Sequence, residues 1–220
     1  MKGNTMTANL HYHDKIAVLD LGDDENRFSP DWLDTVNTHL DAVERDAQGL
    51  VTTGGGKFYS NGLDLDWIMA NSDRTDWYVG RVQELLARIL TFPLPTIAAV
   101  NGHAFGAGAM LAIAHDYRVM REDRGYYCFP EVDINIPFTP GMAALIQAKL
   151  SPQTAVTAMT TGHRFNGPDA LAAGLVDATA TDAEVLTTAI TRLTPILGKN
   201  PATLAAIKTT MYSAVTAALR

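Results

Sequence analysis

The sequence predicts an α/β fold closed by a helical tail, and three observations point there. Short apolar runs of strand composition recur at residues 15–21, 49–53, 96–100 and 117–120, alternating with segments whose apolar residues fall at helical spacing. Small-residue turns stand where strand-like runs give way to helix-like runs, at 60–62 and again at 106–108. From 182 to 220 there is no strand signal, only two helices broken at Gly198-Lys199-Asn200-Pro201.

Taken in order, residues 15–21 hold the uninterrupted apolar run of a buried strand. Ser29-Pro30-Asp31 then starts a helix, with proline in its first turn, that runs to about Asp46. The strand 49–53 ends in a turn or loop at Gly54-Gly55-Gly56, and Phe58-Tyr59-Ser60-Asn61-Gly62-Leu63-Asp64-Leu65 passes from a strand-like to a helix-like run. Residues 73–90 place Val79, Val82, Leu85, Leu86 and Ile89 on one helical face, and Pro93 with Pro95 stops them. The strand 96–100 leads through Asn101-Gly102-His103-Ala104-Phe105 into 106–114, a helix so apolar that it must be buried on every side. A strand at 117–120 follows, then mixed turn and strand signals over 128–138. Helices are expected at 141–150, 153–161 and 167–176, the last with a glycine stop before a strand-like Leu175-Val176-Asp177.

The 220 residues can bury a core without staples, and 47% hydrophobic against 19% charged residues excludes a disordered chain. No apolar run reaches the roughly 18 residues of a membrane span, and a net charge of −7 disfavours nonspecific binding to nucleic acid or anionic membranes. A single cysteine, Cys128, permits no internal disulfide and reads as a small buried hydrophobe. Residues 1–7 lack the apolar stretch of a leader, and the last residues carry no retrieval or prenylation signal, so cytoplasmic residence is expected.

Familiar motifs fail one by one. Gly54-Gly55-Gly56-Lys57 lacks the spacing and hydroxyl of a phosphate loop, and Gly102, Gly106 and Gly108 do not make a dinucleotide fingerprint. The six histidines offer no zinc-binding spacing, although His11 and His13 would share a strand face, so no metal is expected. Ser60 stands between strand and helix like a nucleophile, but Phe58 occupies the place where a nucleophile elbow needs glycine. Two small-residue turns that each open a helix suit a different task, since both can aim backbone N–H groups at one developing anion.

The motifs around those turns, with Pro95-Thr96-Ile97-Ala98-Ala99-Val100 before the second and Asp116-Tyr117-Arg118 after it, resemble in order and spacing the successive signatures of the crotonase superfamily, the enoyl-CoA hydratase/isomerase family. Gly162-His163-Arg164-Phe165, Ala173-Gly174-Leu175-Val176-Asp177 and Asn200-Pro201 with Lys208 extend the resemblance to about residues 15–208. It implies a spiral of ββα units over 1–181 and a helical region over 182–220 that is not an independent domain and packs in trimers or dimers of trimers. It also implies an acyl-CoA thioester as substrate, with CoA entering as part of that substrate and no further cofactor. The backbone N–H groups of Leu63 and Ala107 would hold the thioester oxygen. Ser60, Gly62, Asp64, Trp67, Ile68, Gly106 and Phe138 would lie along the substrate, with Trp67, Ile68, Phe138 and also Trp77 as candidate acyl-pocket residues. Asp64 reads better as a helix-capping or loop-fixing residue than as an acid catalyst, Asp116 and Arg118 suggest a structural pair, and Lys208 is either a contact for CoA phosphate or a solvated helix lysine. The chain is short at both ends for the family, which implies reduced lid and trimer contacts from the last helix.

Subclass depends on acids and bases. Hydratases of this family resemble one another in carrying two glutamates, and here the first position is Met110, whose thioether can neither activate water nor accept a strong hydrogen bond. The second matches Glu131, with Asp133 the substitute if the alignment slips by two residues. A lone carboxylate is enough to move a double bond, and apolar neighbours such as Phe129, Ile134 and Phe138 would raise its pKa toward neutrality. The resemblance therefore implies a Δ3,Δ2-enoyl-CoA isomerase. The alternatives are hydration, thioester hydrolysis or decarboxylation by the same fold, or a non-catalytic acyl-CoA-binding scaffold.

Overall fold

The computed structural model describes residues 8–220. The first seven, read above for a leader, lie outside the described residues. Two sheets organise the chain. The larger has six strands in the order β1 (Asn9–His13), β2 (Ile16–Asp20), β3 (Gly49–Thr53), β5 (Thr96–Val100), β7 (Tyr117–Arg121) and β9 (Ala178–Ala180). Only the β1–β2 pair is antiparallel. The smaller sheet is parallel throughout and joins β4 (Phe58–Ser60), β6 (His103–Phe105) and β8 (Tyr127–Cys128). Between β3 and β8 each coil of chain thus gives one strand to each sheet before a helix carries it to the next coil, which is the expected ββα spiral.

Alternation along the large sheet explains its apolar runs. Ala17, Leu19, Leu50, Ala98, Val100 and Met120 face one core with α1 (Pro30–Asp46), α3 (Thr75–Leu90), α4 (Ala107–Ala114) and α5 (Pro140–Lys149). Ile16, Val18, Val51, Ile97, Ala99 and Val119 face a second core under Val185, Ala189 and Leu193 of α8 (Val185–Leu193). Both faces are covered, so polar alternation is absent. All eight residues of α4 are buried, as its composition requires. Ser29 caps α1 by accepting from Trp32 N–H, and Pro30 stands in the first turn.

Several expectations shift. Residues 9–13 form an edge strand that no apolar alternation announced, because four of its five residues are exposed. The last strand begins at Ala178, three residues late, since Leu175 and Val176 donate back to the Ala170 carbonyl and finish the turn of α7 (Gly167–Ala172). The tail breaks a second time at Tyr212, giving α9 (Pro201–Met211) and α10 (Ser213–Ala218). The remaining helices are α2 (Leu65–Ala70) and α6 (Pro152–Thr161).

Two readings of charge are corrected. Asp116 and Arg118 do not pair with each other through their side chains. Arg118 meets Asp177 at 3.1 Å, and Asp116 accepts from Lys208 Nζ at 2.7 Å and from Thr96 N–H at 2.9 Å. Lys208 is therefore neither solvated nor open to a phosphate: it is buried, and it also donates to the Leu94 carbonyl at 2.9 Å. Nearby, His115 is buried and donates from Nδ1 to the Leu111 carbonyl, so Nε2 accepts from Thr52, which in turn accepts from Tyr59. Burial pushes His115 down to about 3, and it stays neutral.

Because Lys208 ties the tail to the sheet, Lys208→Met strands the Asp116 carboxylate. The expected loss is about 2 kcal/mol, discounted from a fully buried pair because Asp116 is partly solvated, and it would be read as a lower urea midpoint.

Candidate active site

The two small-residue turns come together, and glycine is the reason they can. Gly62 has φ +77°, and a Cβ there would stand 2.8 Å from the amide nitrogen of Ala107 and 2.8 Å from the Phe105 carbonyl. Gly108 lies against the Ser60 carbonyl with no space for a side chain. Gly106, at φ +53°, turns the chain out of β6 and into α4. Leu63 follows Gly62 directly, Ala107 is the first residue of α4, and among the described residues neither amide N–H donates a hydrogen bond. The first turn of a helix leaves such donors unpaired, and its dipole favours negative charge there.

A cavity of about 200 Å³ opens onto this junction, lined by Leu63, Gly106, Ala107 and Glu131, together with Arg27, Asn61, Leu65, Phe105, Pro130, Ile134 and Ile136. Glu131 is 8% exposed. Its Oε1 would lie 3.4 Å from a Cβ on Gly106, so the carboxylate faces the second turn across a gap that glycine keeps open. Its Oε2 is buried and, among the described residues, accepts no hydrogen bond. Burial pushes Glu131 up to about 7, outweighing its own backbone N–H, which pulls the other way. Asp133 does not line the cavity: it is exposed, and its carboxylate lies against Gly162.

Four predicted residues, Leu63, Gly106, Ala107 and Glu131, thus share one cavity wall. The others predicted along a substrate do not line it. Ser60 is wholly buried, where its hydroxyl donates to the Asn26 carbonyl and accepts from Gly62 N–H, so it holds the first turn instead of touching a ligand. Gly62 is spent on the contact between turns. Asp64 caps α2 by accepting from Trp67 N–H, while its own N–H donates to Tyr78. Trp67 stacks on Tyr78 and, with Asp64, lines a separate groove of about 810 Å³. Ile68 and Phe138 pack against the core. Trp77 lies 6.0 Å from Trp67 under the guanidinium of Arg74. Met110 is buried in α4, and the Cys128 thiol is buried and pushed up to about 11.

Arg27, Asn61 and Phe105 escaped the sequence reading. Arg27 arrives because Asn26, at φ 48°, reverses the chain and clips it to β4 by donating to the Phe58 and Tyr59 carbonyls. Phe28 N–H then donates to the Gly62 carbonyl, and Arg27 is ion-paired to Glu25 and to Asp66. An asparagine at positive φ carries little signal in sequence. Phe105 had one: as the second residue after His103 in β6, it shares that residue's face of the small sheet. Among the described residues, no cluster of three or more metal-ligating side chains occurs and no helix is long and apolar enough to cross a membrane.

The chain is similar to known proteins over most of its length. The sequence profile described as enoyl-CoA hydratase/isomerase matches residues 12–220. Enoyl-CoA delta isomerase 3 of Arabidopsis thaliana is 41% identical over 169 residues, 73% of this chain and 71% of that protein. The peroxisomal enoyl-CoA delta isomerase 2 of the same plant is 39% identical over 173 residues, 74% of this chain and 72% of that protein. Among solved structures, a probable enoyl-CoA hydratase from Mycobacterium tuberculosis superposes with a TM-score of 0.90 at 27% identity, covering 98% of this chain and 92% of that one.

Two outcomes follow from the site's construction. Gly62→Ala forces a side chain into positive φ and into Ala107, and should cost at least about 1 kcal/mol, seen as a lower thermal midpoint. Glu131 has a folded pKa of about 7 against an ordinary 4.5, so the folded state holds a proton that the unfolded state releases between those values. Its stabilising contribution is complete below about pH 4.5 and is lost as pH rises through 7, on the order of 3 kcal/mol in all. Urea midpoints across that window should fall in the parent and fall less in Glu131→Gln.

Proposed function

The chain belongs to the enoyl-CoA hydratase/isomerase family, and from that premise we propose that it is an enoyl-CoA isomerase that moves the double bond of a 3-enoyl-CoA to the conjugated 2-position. The observation that carries this reading is Glu131, among the described residues the single carboxylate in the cavity wall, sharing it with the two unpaired backbone N–H groups and with no second acid. The Arabidopsis relatives named enoyl-CoA delta isomerase support it.

In the proposed reaction, ionised Glu131 takes a proton from C2. The electron pair of that C–H bond becomes the C1=C2 π bond of a dienolate while the carbonyl π pair moves onto the thioester oxygen, where the negative charge collects. That oxygen sits between the N–H groups of Leu63 and Ala107, whose donation is strongest when the charge is greatest. Glu131, now protonated, returns the proton to C4: the C3=C4 π pair forms the new C–H bond, the C1=C2 pair shifts to C2=C3, the oxygen's pair restores the carbonyl, and Glu131 is ionised again with no atom gained or lost. A carboxyl whose pKa lies near neutrality suits both halves of this exchange, because neither the acid nor the base form is strongly disfavoured. CoA enters as part of the substrate, and no step needs another cofactor.

Hydration fits the site less well. A water added across a double bond needs a base on one side and an acid on the other, and Met110, buried in α4, supplies neither. Assembly as trimers or dimers of trimers is also proposed. It is supported by Ile207 and Met211, apolar side chains of α9 that stand 50% and 65% exposed.

Incubation with a 3-enoyl-CoA should yield conjugated 2-enoyl-CoA, followed by its ultraviolet absorbance. Glu131→Gln should lower kcat by about 10²- to 10⁴-fold. In the parent, kcat/KM should rise with pH and level off above about 7, since only the ionised carboxylate abstracts the first proton. Equal rates for parent and variant would rule out the mechanism, and binding of acyl-CoA without turnover of any enoyl isomer would favour a scaffold.

A further inference from the structure

A separate cavity of about 360 Å³ lies between α9 and the last residue of α5, and it shares no residue with the one at Glu131. Ile196, Leu204, Ile207 and Met211 give it an apolar wall. Lys149 and Tyr212 belong to the same lining. Lys149 Nζ donates to the His115 carbonyl at 2.8 Å and lies 3.5 Å from the Tyr212 hydroxyl and 5.4 Å from the centre of its ring. Among the described residues Lys149 forms no ion pair, unlike Lys208 in the same cavity, whose Nζ meets Asp116 at 2.7 Å. A partly buried ammonium without a carboxylate is costly, and giving up its proton relieves that cost. Burial and the charges of Arg118 and Lys208 push Lys149 down to about 8, against the pull of Asp116 and Asp177. At pH 7 about one Lys149 in ten is then a neutral amine, against roughly one in two thousand for an ordinary lysine. The mechanism at Glu131 has no use for this nucleophile.

We propose that Lys149 is a site of self-acylation: an acyl-CoA lays its chain along Ile196, Leu204, Ile207 and Met211, and the Lys149 amine takes the acyl group. The nitrogen lone pair forms a bond to the thioester carbon, the C–S bond breaks, and its electron pair leaves with sulfur. The proton shed by nitrogen neutralises the CoA thiolate, so an amide and free CoA are the only products. A cavity of this volume lies in the range of small-molecule sites, and its apolar wall holds the chain while the amine reacts. Lys199, exposed in the same lining, places a cation where the phosphates of CoA would remain outside. The inference rests on the proposed function for the presence of acyl-CoA and for nothing else. Ile207 and Met211 also stand on the face offered above for assembly, so the reaction belongs to the chain before it assembles.

The test incubates dilute protein with octanoyl-CoA, which has no double bond to move, and follows octanoyl amides at each lysine by peptide mass spectrometry. Label is expected on Lys149 at least about tenfold faster than on the exposed Lys15 and Lys57. Its rate should rise with pH and level off above about 8. Octanoyl-CoA should outpace acetyl-CoA at least about tenfold at Lys149, where the apolar wall stands, and not at the exposed lysines. Even labelling of all lysines, or equal rates from the two thioesters at Lys149, would overturn the proposal. So would an unlabelled Lys149, whether its amine stays protonated or a second copy covers it. Label on Lys149 without turnover of any 3-enoyl-CoA would sink isomerisation and keep this site, whereas turnover without label would do the reverse.

Discussion

The structure depends on two lengths of main chain approaching closer than any side chain would allow. Gly62 meets the start of α4, and Gly108 meets the end of β4, each with backbone where a Cβ would be. This contact fixes where α4 begins relative to the first turn, and so where the free N–H groups of Leu63 and Ala107 stand. It also brings the next coil, with Glu131, within reach through the β6–β8 pairing. The apolar α4 is the counterpart of that closeness: a helix whose first residues touch another coil's backbone has no solvated face left.

A second constraint lies at the opposite end of the sheet. Lys208, Lys149 and Arg118 converge on Asp116, Asp177 and the His115 carbonyl, where Lys149 donates at 2.8 Å. Charges taken out of water at this depth add little net stability but punish any arrangement that leaves one unpaired. They therefore select the position of the tail more than they strengthen it. Three cations around His115 add to the burial that keeps its ring neutral, which is the state its hydrogen bonds to Thr52 and Leu111 require.

What could be read from the sequence followed from how completely a segment is buried. The runs around Ile16–Asp20 and Thr96–Val100 were legible as strands because both faces are covered and nothing polar interrupts them. Asn9–His13 was not, since an exposed edge strand is held by backbone pairing that leaves no mark on side-chain type. At the site, Leu63, Gly106, Ala107 and Glu131 could be found because small residues and a carboxylate at set spacing have few other uses. Trp67, Ile68 and Phe138 are ambiguous in sequence, because an apolar side chain looks the same in a core and in a pocket, and in the structure they pack against the core and do not line the cavity at Glu131. Lys208 was misread for a related reason: its carboxylate partner lies 92 residues upstream, and nothing around it in sequence suggests burial.

Main-chain donors have a genetic consequence. Every residue except proline carries the same N–H, so the chemistry proposed for Leu63 and Ala107 is encoded by no codon at those two sites. It is written instead in the neighbours that must stay without side chains. Drift at position 63 can therefore reshape the cavity wall while leaving the electrostatics of the bound oxygen untouched, whereas a single methyl group gained at Gly62 or Gly108 would reach the charge without adding or removing any charged group. In such a site, selectivity and reactivity are inherited separately.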